Sequence, residues 1–292
     1  MNKIENRVEI NPIVENLDKL PKILYKYRTF DNKGYGLKMA TTGEVYFASG
    51  KEFNDPFECY FIPISKLIEY EGAVLEKYLR KKAFFHLSNP TEEEVEDFIT
   101  HGLEQHEKLK NGDPSAMDAV MEVQYRNFGI LPLVDTAYSI PMWAYYSDSF
   151  TGLCVGFDVK KLGEHQLILS SQKQVLILNK VVYQKDILKY NIDVGSKDFT
   201  EEELNETEAL YFIKSDHWEH ESEYRMIFSD FVSNSYSFGT SSIAEIIVGL
   251  RAEESDIEEL KDHLRKSKST AQLKRLTRSH SKFELGFEDL DY

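Results

Sequence analysis

Cysteine is nearly absent: the 292-residue chain has two, Cys59 and Cys154, far apart in the sequence. So few thiols exclude a disulfide framework and a zinc ribbon, and they suit a reducing compartment. Long apolar runs are also missing, and nothing approaches the ~20 residues that a membrane span requires. Residues 1–20 form a polar lead-in without the apolar core of a signal peptide. The expectation is a soluble, cytoplasmic protein with no membrane partner. Basic charge is the third shortage. Lys and Arg number 35 against 50 Asp and Glu, a net charge of −15. That sign repels phosphate backbones, so nucleic acid is not a favoured partner. The densest basic stretch, LRKSKSTAQLKRLTRSH at 264–280, reads as the last turn of a helix followed by a strand.

Familiar chemical signatures are missing too. There is no Walker A loop, no Gly-x-Ser-x-Gly elbow and no His-Glu-x-x-His helix, and GYG at 34–36 is too short for a dinucleotide fingerprint. His217 and His220 lie three apart beside several glutamates, but no third His or Cys is near. The sequence therefore predicts no metal site.

What is present is a chain able to bury a core, with 41% hydrophobic and 13% aromatic residues. ILYKYRTF (23–30) and EVYFAS (44–49) read as strands, with GYGLKMATTG (34–43) a short helix between glycines. Residues 62–127 are helical by pattern, with a capping box from Thr91 to Glu94 and a helix start at Asp113-Pro114. Strand signals return in LPLVDTAYS (131–139), GLCVGFDV (152–159) and VLILNKVVYQ (175–184). A second capping box, Thr200 with Glu203, predicts a helix running towards Asp216. SIAEIIVGL (242–250), QLKRLTRS and KFELGF read as strands around an amphipathic helix at 253–266. Strand runs with segregated helices indicate α+β: one domain over 21–292 with a helical insertion at about 62–127.

Three stretches carry candidate chemistry. WEHESEYRMIF (218–228) reads as a strand from about His220, since Tyr, Met, Ile and Phe favour one. Period two then puts Glu221, Glu223, Arg225 and Ile227 on one face, and Ser222, Tyr224, Met226 and Phe228 on the core face. Two carboxylates so placed raise one pKa unless a cation compensates, and Arg225 can be that cation. As a helix, the same residues give only a surface pair of Glu221 with Arg225. In SIPMWAYYSDSFTGLCVGFD (139–158), Trp143, Tyr145 and Tyr146 either wall a pocket for a flat ring or fill the core. In FNDPFE (53–58), Asp55-Pro56 makes a rigid turn that Asn54 can cap, anchored by Phe53 and Phe57. Asp55 and Glu58 are site carboxylates or parts of that turn.

LYKYRTF, EVYFASGKEFNDPFE, MWAYYSDSFTGLCVGFD and WEHESEYRMI, in that order, resemble the signatures of a bacterial family catalogued as domain of unknown function 2971. The resemblance spans about 21–250. It departs at Tyr145, where the family pattern has a histidine. The order of parts is also similar to ADP-ribosyltransferases, which implies a central mixed or antiparallel sheet and NAD as a substrate. On that resemblance Arg28 or Tyr27 occupies the first-strand position, Ser49 or Ser147 the hydroxyl position, and Glu221-Ser222-Glu223 the Glu-x-Glu, with Glu223 the catalytic carboxylate. Arg28 and Glu221 would act with it. Asn54, Asp55, Trp143, Tyr146 and Arg225 would complete the nucleotide site. The expectation is an NAD-dependent ADP-ribosyltransferase or NAD glycohydrolase, a toxin or anti-phage effector, whose acceptor the sequence leaves open. Competing expectations are a non-catalytic ligand sensor and a metal-dependent nuclease built on Asp55, Glu58, Glu221 and Glu223.

Overall fold

The computed structural model describes residues 17–31, 34–64, 70–86, 90–111, 113, 115, 121, 125–126, 128–171, 175–191 and 210–292. The Thr200–Glu203 capping box, most of the polar lead-in and the helix start at Pro114 lie outside the described residues.

The aromatic and β-branched stretches form one large mixed sheet. Its strands are β1 (Ile23–Arg28), β4 (Phe128–Val134), β5 (Leu153–Asp158), β6 (Leu176–Lys180), β10 (Glu223–Ser229), β12 (Ile243–Val248), β13 (Gln272–Arg278) and β14 (Leu285–Asp289). Their order is β14-β13-β12-β5-β1-β4-β10-β6. All neighbours are antiparallel except β12 with β13. That parallel pair is joined by helix α6 (Glu254–Ser267), the crossover that parallel strands need.

Helices α1 (Tyr35–Thr42), α5 (Val159–Ser171) and α6 cover one face of the sheet. Met39, Leu162 and Leu260 are among the side chains they bury there, against Leu24, Val155, Met226 and Phe228. On the other face α4 (Ile140–Tyr146) buries Met142 and Trp143. α2 (Gly72–His86) and α3 (Glu92–Lys110) make an antiparallel pair around a separate small cluster of Leu75, Leu79, Val95 and Ile99. The Thr91–Glu94 capping box forms as expected. So does α1 between Gly34 and Gly43, both left-handed.

One irregularity shapes the molecule. β1 pairs with β5 along all of its residues, from Ile23 opposite Asp158 to Arg28 opposite Leu153. It meets β4 at one register position only, Tyr25 opposite Val134. Further along, β4 changes partner: Ala48, just beyond β2 (Glu44–Phe47), bridges to Ile130 through hydrogen bonds of 2.9 and 2.8 Å. Pro132 lies between these two contacts and has no N–H for either neighbour. The sheet therefore splays open between β1 and β4, with β2 forming the far wall.

Several sequence expectations need correcting. VLILNKVVYQ does not form one strand. It breaks at Val181, whose N–H donates to the Glu223 carbonyl, and β7 (Val182–Gln184) leaves to pair in parallel with β9 (Ile213–Ser215). The helix expected to run towards Asp216 is, in its described part, a 3-10 turn at Leu210–Phe212 followed by β9. LPLVDTAYS ends as a strand at Val134, and Ser139 then caps α4 with Pro141 in the first turn. The sequence reading had no helix at 159–171, where α5 stands. Short pairs β2 with β11 (Asn234–Ser237) and β3 (Ile62–Ile64) with β8 (Lys189–Asn191) complete the described strands.

The turn into β5 is tightly packed on the end of β1. A Cβ on Gly152 would stand 2.2 Å from the Arg28 carbonyl oxygen. Gly152→Ala must push β1 and β5 apart and should cost about 1–3 kcal/mol. Urea unfolding reads this directly, and a wild-type midpoint would show that the turn yields freely.

Candidate functional site

The period-two reading of β10 holds for its core side: Tyr224, Met226 and Phe228 enter the main core. The strand itself starts at Glu223, not near His220. Residues Asp216–Glu221 form a 3-10 turn, and Ser222 closes it with φ of 49°. Glu221 therefore reaches the site from a turn and Glu223 from a strand, yet both meet the same cation.

That cation is Lys214 on β9. Its Nζ donates to Glu221 Oε2 at 2.5 Å and to Glu223 Oε2 at 2.8 Å. Arg225 lies beside it with no exposed surface. Its guanidinium donates to Glu223 from Nε at 2.6 Å and to Glu58 in a two-pronged grip at 2.5 and 3.0 Å. A further bond of 2.7 Å goes to the Tyr211 carbonyl. Tyr146 donates to Glu221 Oε1 at 2.6 Å, and the Tyr183 hydroxyl accepts the Glu223 N–H at 2.8 Å. Three carboxylates and two cations thus form one buried network.

The two carboxylates sharing Arg225 titrate in opposite directions. Burial pushes both upward. For Glu223, Arg225 and then Lys214 outweigh burial, and its carboxyl sits below the usual range. Among the described residues Glu58 bonds one cation, Arg225, and burial keeps its carboxyl above that range. Burial also draws the Lys214 ammonium downward, but Glu223 and Glu221 raise it on balance. Burial and the neighbouring Glu221 hold the Tyr146 phenol well above its ordinary value. Glu223 is accordingly a fixed negative charge at neutral pH.

The network forms one end of the cleft opened by the sheet's splay, a cavity of about 380 Å³. Arg28, Glu221, Glu223, Tyr146, Asn54 and an edge of Tyr27 all line it. Tyr35 and Tyr46, both partly exposed, also line it, and the Arg28 guanidinium lies 5.6 Å from the Tyr35 ring centre.

Other expected site residues are not on the wall. Trp143 is fully buried, donates from Nε1 to the Ala137 carbonyl and packs edge-on against Tyr27. An indole so enclosed cannot sandwich a ligand. Ser49 caps the turn at Gly50–Glu52 and donates to the Tyr125 carbonyl. Ser147 is buried and donates to the Trp143 carbonyl. Asp55 accepts the Phe57 N–H, so it holds the turn. Arg225 lies behind Glu223 and serves the network rather than a ligand. His217 and His220 are exposed; His220 bonds its own backbone turn, and the two do not converge. No group of three or more His, Cys, Asp or Glu side chains placed to hold a metal occurs among the described residues.

Sequence reasoning missed Lys214, because it lies in a stretch expected to be helical, and did not single out Lys26, although it lies within the LYKYRTF signature. Arg225 and Glu58 were noticed, but nothing in the spacing linked them across the chain.

The class defined by this arrangement is an α+β protein with a mixed eight-stranded sheet, split to form a cleft that ends on a buried Glu–Lys–Glu–Arg network. Residues 142–226 match the family model described as protein of unknown function DUF2971. The matched stretch begins on α4 and ends on β10, so it contains Tyr146, Lys214, Glu221, Glu223 and Arg225. Searches of curated proteins and of solved structures return no significant match.

Removing Arg225 takes the bonded cation from Glu58 and leaves Glu221 and Glu223 to share Lys214. Arg225→Met should destabilise the fold by roughly 3–5 kcal/mol at pH 7. The loss should shrink in acid. The folded pKa of Glu223 lies below its ordinary value of 4.5, so the stability it contributes is complete above that value and disappears as the pH falls through the folded one. Glu58, shifted the other way, gains nothing from being ionised. Urea titrations at pH 7 and pH 4 measure the gap, and a gap that widens in acid would contradict this assignment.

Proposed function

We propose that the cleft binds a dinucleotide of the NAD kind and cleaves the bond between its ribose and nicotinamide, passing ADP-ribose to water or to an acceptor. The observation that carries this reading is that Arg28 and Glu223, far apart in sequence, line one cleft. The similarity in order of parts to ADP-ribosyltransferases supports it, as does the ionised state of Glu223.

The chemistry follows from the charges. When the ribose–nicotinamide bond breaks, its electron pair leaves with nicotinamide, which becomes neutral, and positive charge develops at the ribose carbon. A carboxylate fixed beside that carbon stabilises the oxocarbenium-like state. The nucleophile then adds from water or the acceptor, and its proton passes to Glu221, which Tyr146 and Lys214 orient. Arg28 holds phosphate oxygens, and the exposed rings of Tyr35 and Tyr46 offer surfaces for a flat heterocycle. Depletion of NAD by such a protein fits a toxin or an anti-phage effector.

A second reading has an observation of its own. Both oxygens of Glu223 are already held, Oε1 by Arg225 and Oε2 by Lys214 and Arg225. A carboxylate so occupied can serve a non-catalytic sensor that binds a nucleotide without turning it over. The nuclease reading has no comparable support, since Arg225 bridges Glu58 and Glu223 and Asp55 holds a turn.

Nicotinamide release from NAD, followed by chromatography, separates the two. The wild type should release it, and Glu223→Gln that still shows an NAD-induced rise in Tm should be slower by roughly 100-fold. If Glu223→Gln does not fold, Glu221→Gln provides the second test, with release again expected to fall. Binding without release by the wild type selects the sensor. Undiminished release by a folded Glu223→Gln protein removes Glu223 from the chemistry.

A further inference from the structure

Two cations on the cleft wall have no carboxylate partner among the described residues, though Arg28 also lies over the Tyr35 ring. Lys26 and Arg28 lie two residues apart on β1 and therefore share a face. Neither makes a hydrogen bond or an ion pair among the described residues, whereas Lys214 and Arg225 are fully engaged. The carboxylates at the end of the cleft form their ion pairs with Lys214 and Arg225 and none with β1 among the described residues. What β1 presents to a ligand is a pair of positive charges, with Glu44 and Glu52 elsewhere on the cleft wall, in a half-buried setting where charge interactions are stronger than in water.

We propose that Lys26 is the second anchor of a diphosphate seat, gripping one phosphate of a bridging diphosphate while Arg28 grips the other. This deepens the nucleotide reading of the same cleft and rests on it only for the class of ligand. The match is one of charge: a diphosphate diester carries one negative charge per phosphate, and β1 offers one unpaired cation for each. It also distinguishes the ligand from a nucleoside or a free base, which would leave both cations desolvated and unpaired.

The seat has a pH signature. Burial and then the Arg28 guanidinium pull the Lys26 ammonium down to about 8. Glu223 of β10 and Glu221 of the turn oppose that shift, and Lys214 of β9 reinforces it. From α4 the Tyr146 hydroxyl faces the same space. From the β2 wall come Glu44, Tyr46 and, in the following turn, Glu52. Of these, Tyr46 and Glu52 are tied to each other. A bound anion favours the charged amine, so binding should take up a proton near pH 8 and weaken above it.

The test is calorimetric titration with ADP-ribose, whose diphosphate keeps a constant charge between pH 7 and 9. The wild type should bind it roughly tenfold more weakly at pH 9 than at pH 7, with proton uptake visible as a buffer-dependent enthalpy. Lys26→Met should weaken binding at pH 7 by at least about tenfold and abolish the pH dependence. Lys26→Arg should restore binding and keep it flat with pH, which loss of folding or packing could not mimic. Lys160→Met, an exposed site on α5, should behave as wild type. The proposal is overturned if Lys26→Met binds with wild-type affinity and pH profile, or if the folded wild type does not bind ADP-ribose. Nicotinamide release is scored separately. Binding through Lys26 without release from NAD keeps the seat and removes the catalytic reading. Release undiminished in Lys26→Met does the reverse.

Discussion

The buried guanidinium of Arg225 is the constraint around which the site is organised. A charge with no exposed surface is tolerated only when its donors are satisfied and its charge is matched. Arg225 meets that condition through Glu58, Glu223 and the Tyr211 carbonyl. Those partners come from a turn after β2, from β10 and from the segment leading into β9. Three parts of the chain that the sequence separates widely are thereby tied to one point. Such a network adds little net stability over an apolar core of equal volume, but it tolerates the loss of a member badly. Its value is positional: Glu223 and Glu221 are held at the end of the cleft.

The cleft comes from a second constraint, the incomplete pairing of β1 with β4. A sheet this wide would ordinarily close its ladder from edge to edge. Here β4 meets β1 at Val134 and β2 through Ile130, with Pro132 between them. The gap exposes Arg28 and Lys26 on one side and leaves the ionic network on the other. The tight fit of Gly152 against the Arg28 carbonyl fixes where β1 ends, so the strand's cations are carried by a rigid element rather than a loop. Rigid placement of charge is what recognition of an anion requires, because flexible cations lose in entropy what they gain in attraction.

Much of this was legible from the residues. The alternation in EYRMIF placed Tyr224, Met226 and Phe228 on the core side, and glycines at both ends of α1 marked its limits. Glu221, Glu223 and Arg28 could be singled out and do line one cleft. The errors have physical causes. Trp143 and Tyr146 stand on the same short helix, three residues apart, and sequence does not say which faces the core. Ser49 and Asp55 are residue types that serve equally as ligands and as caps, and both are used as caps here. Lys214 was hidden because Leu210–Ser215 changes from a 3-10 turn to a strand within six residues, too short for any periodicity to show. The link between Glu58 and Arg225 is a tertiary contact, and local pattern carries no trace of it.

The departure at Tyr145 can be judged from the same geometry. The family signature has a histidine there, which invites the inference that a catalytic group has been lost. Tyr145 is 72% exposed and does not line the cleft. The adjacent Tyr146 points inward and bonds Glu221 at 2.6 Å. A short helix turns successive side chains by about 100°, so the position that varies and the position that touches the network cannot do the same job. The substitution therefore changes the surface of α4 and leaves the ionic network intact. The proposed chemistry draws on Tyr146, Glu221, Glu223 and the cations of β1 and β9, which line the cleft, and not on Tyr145, which does not.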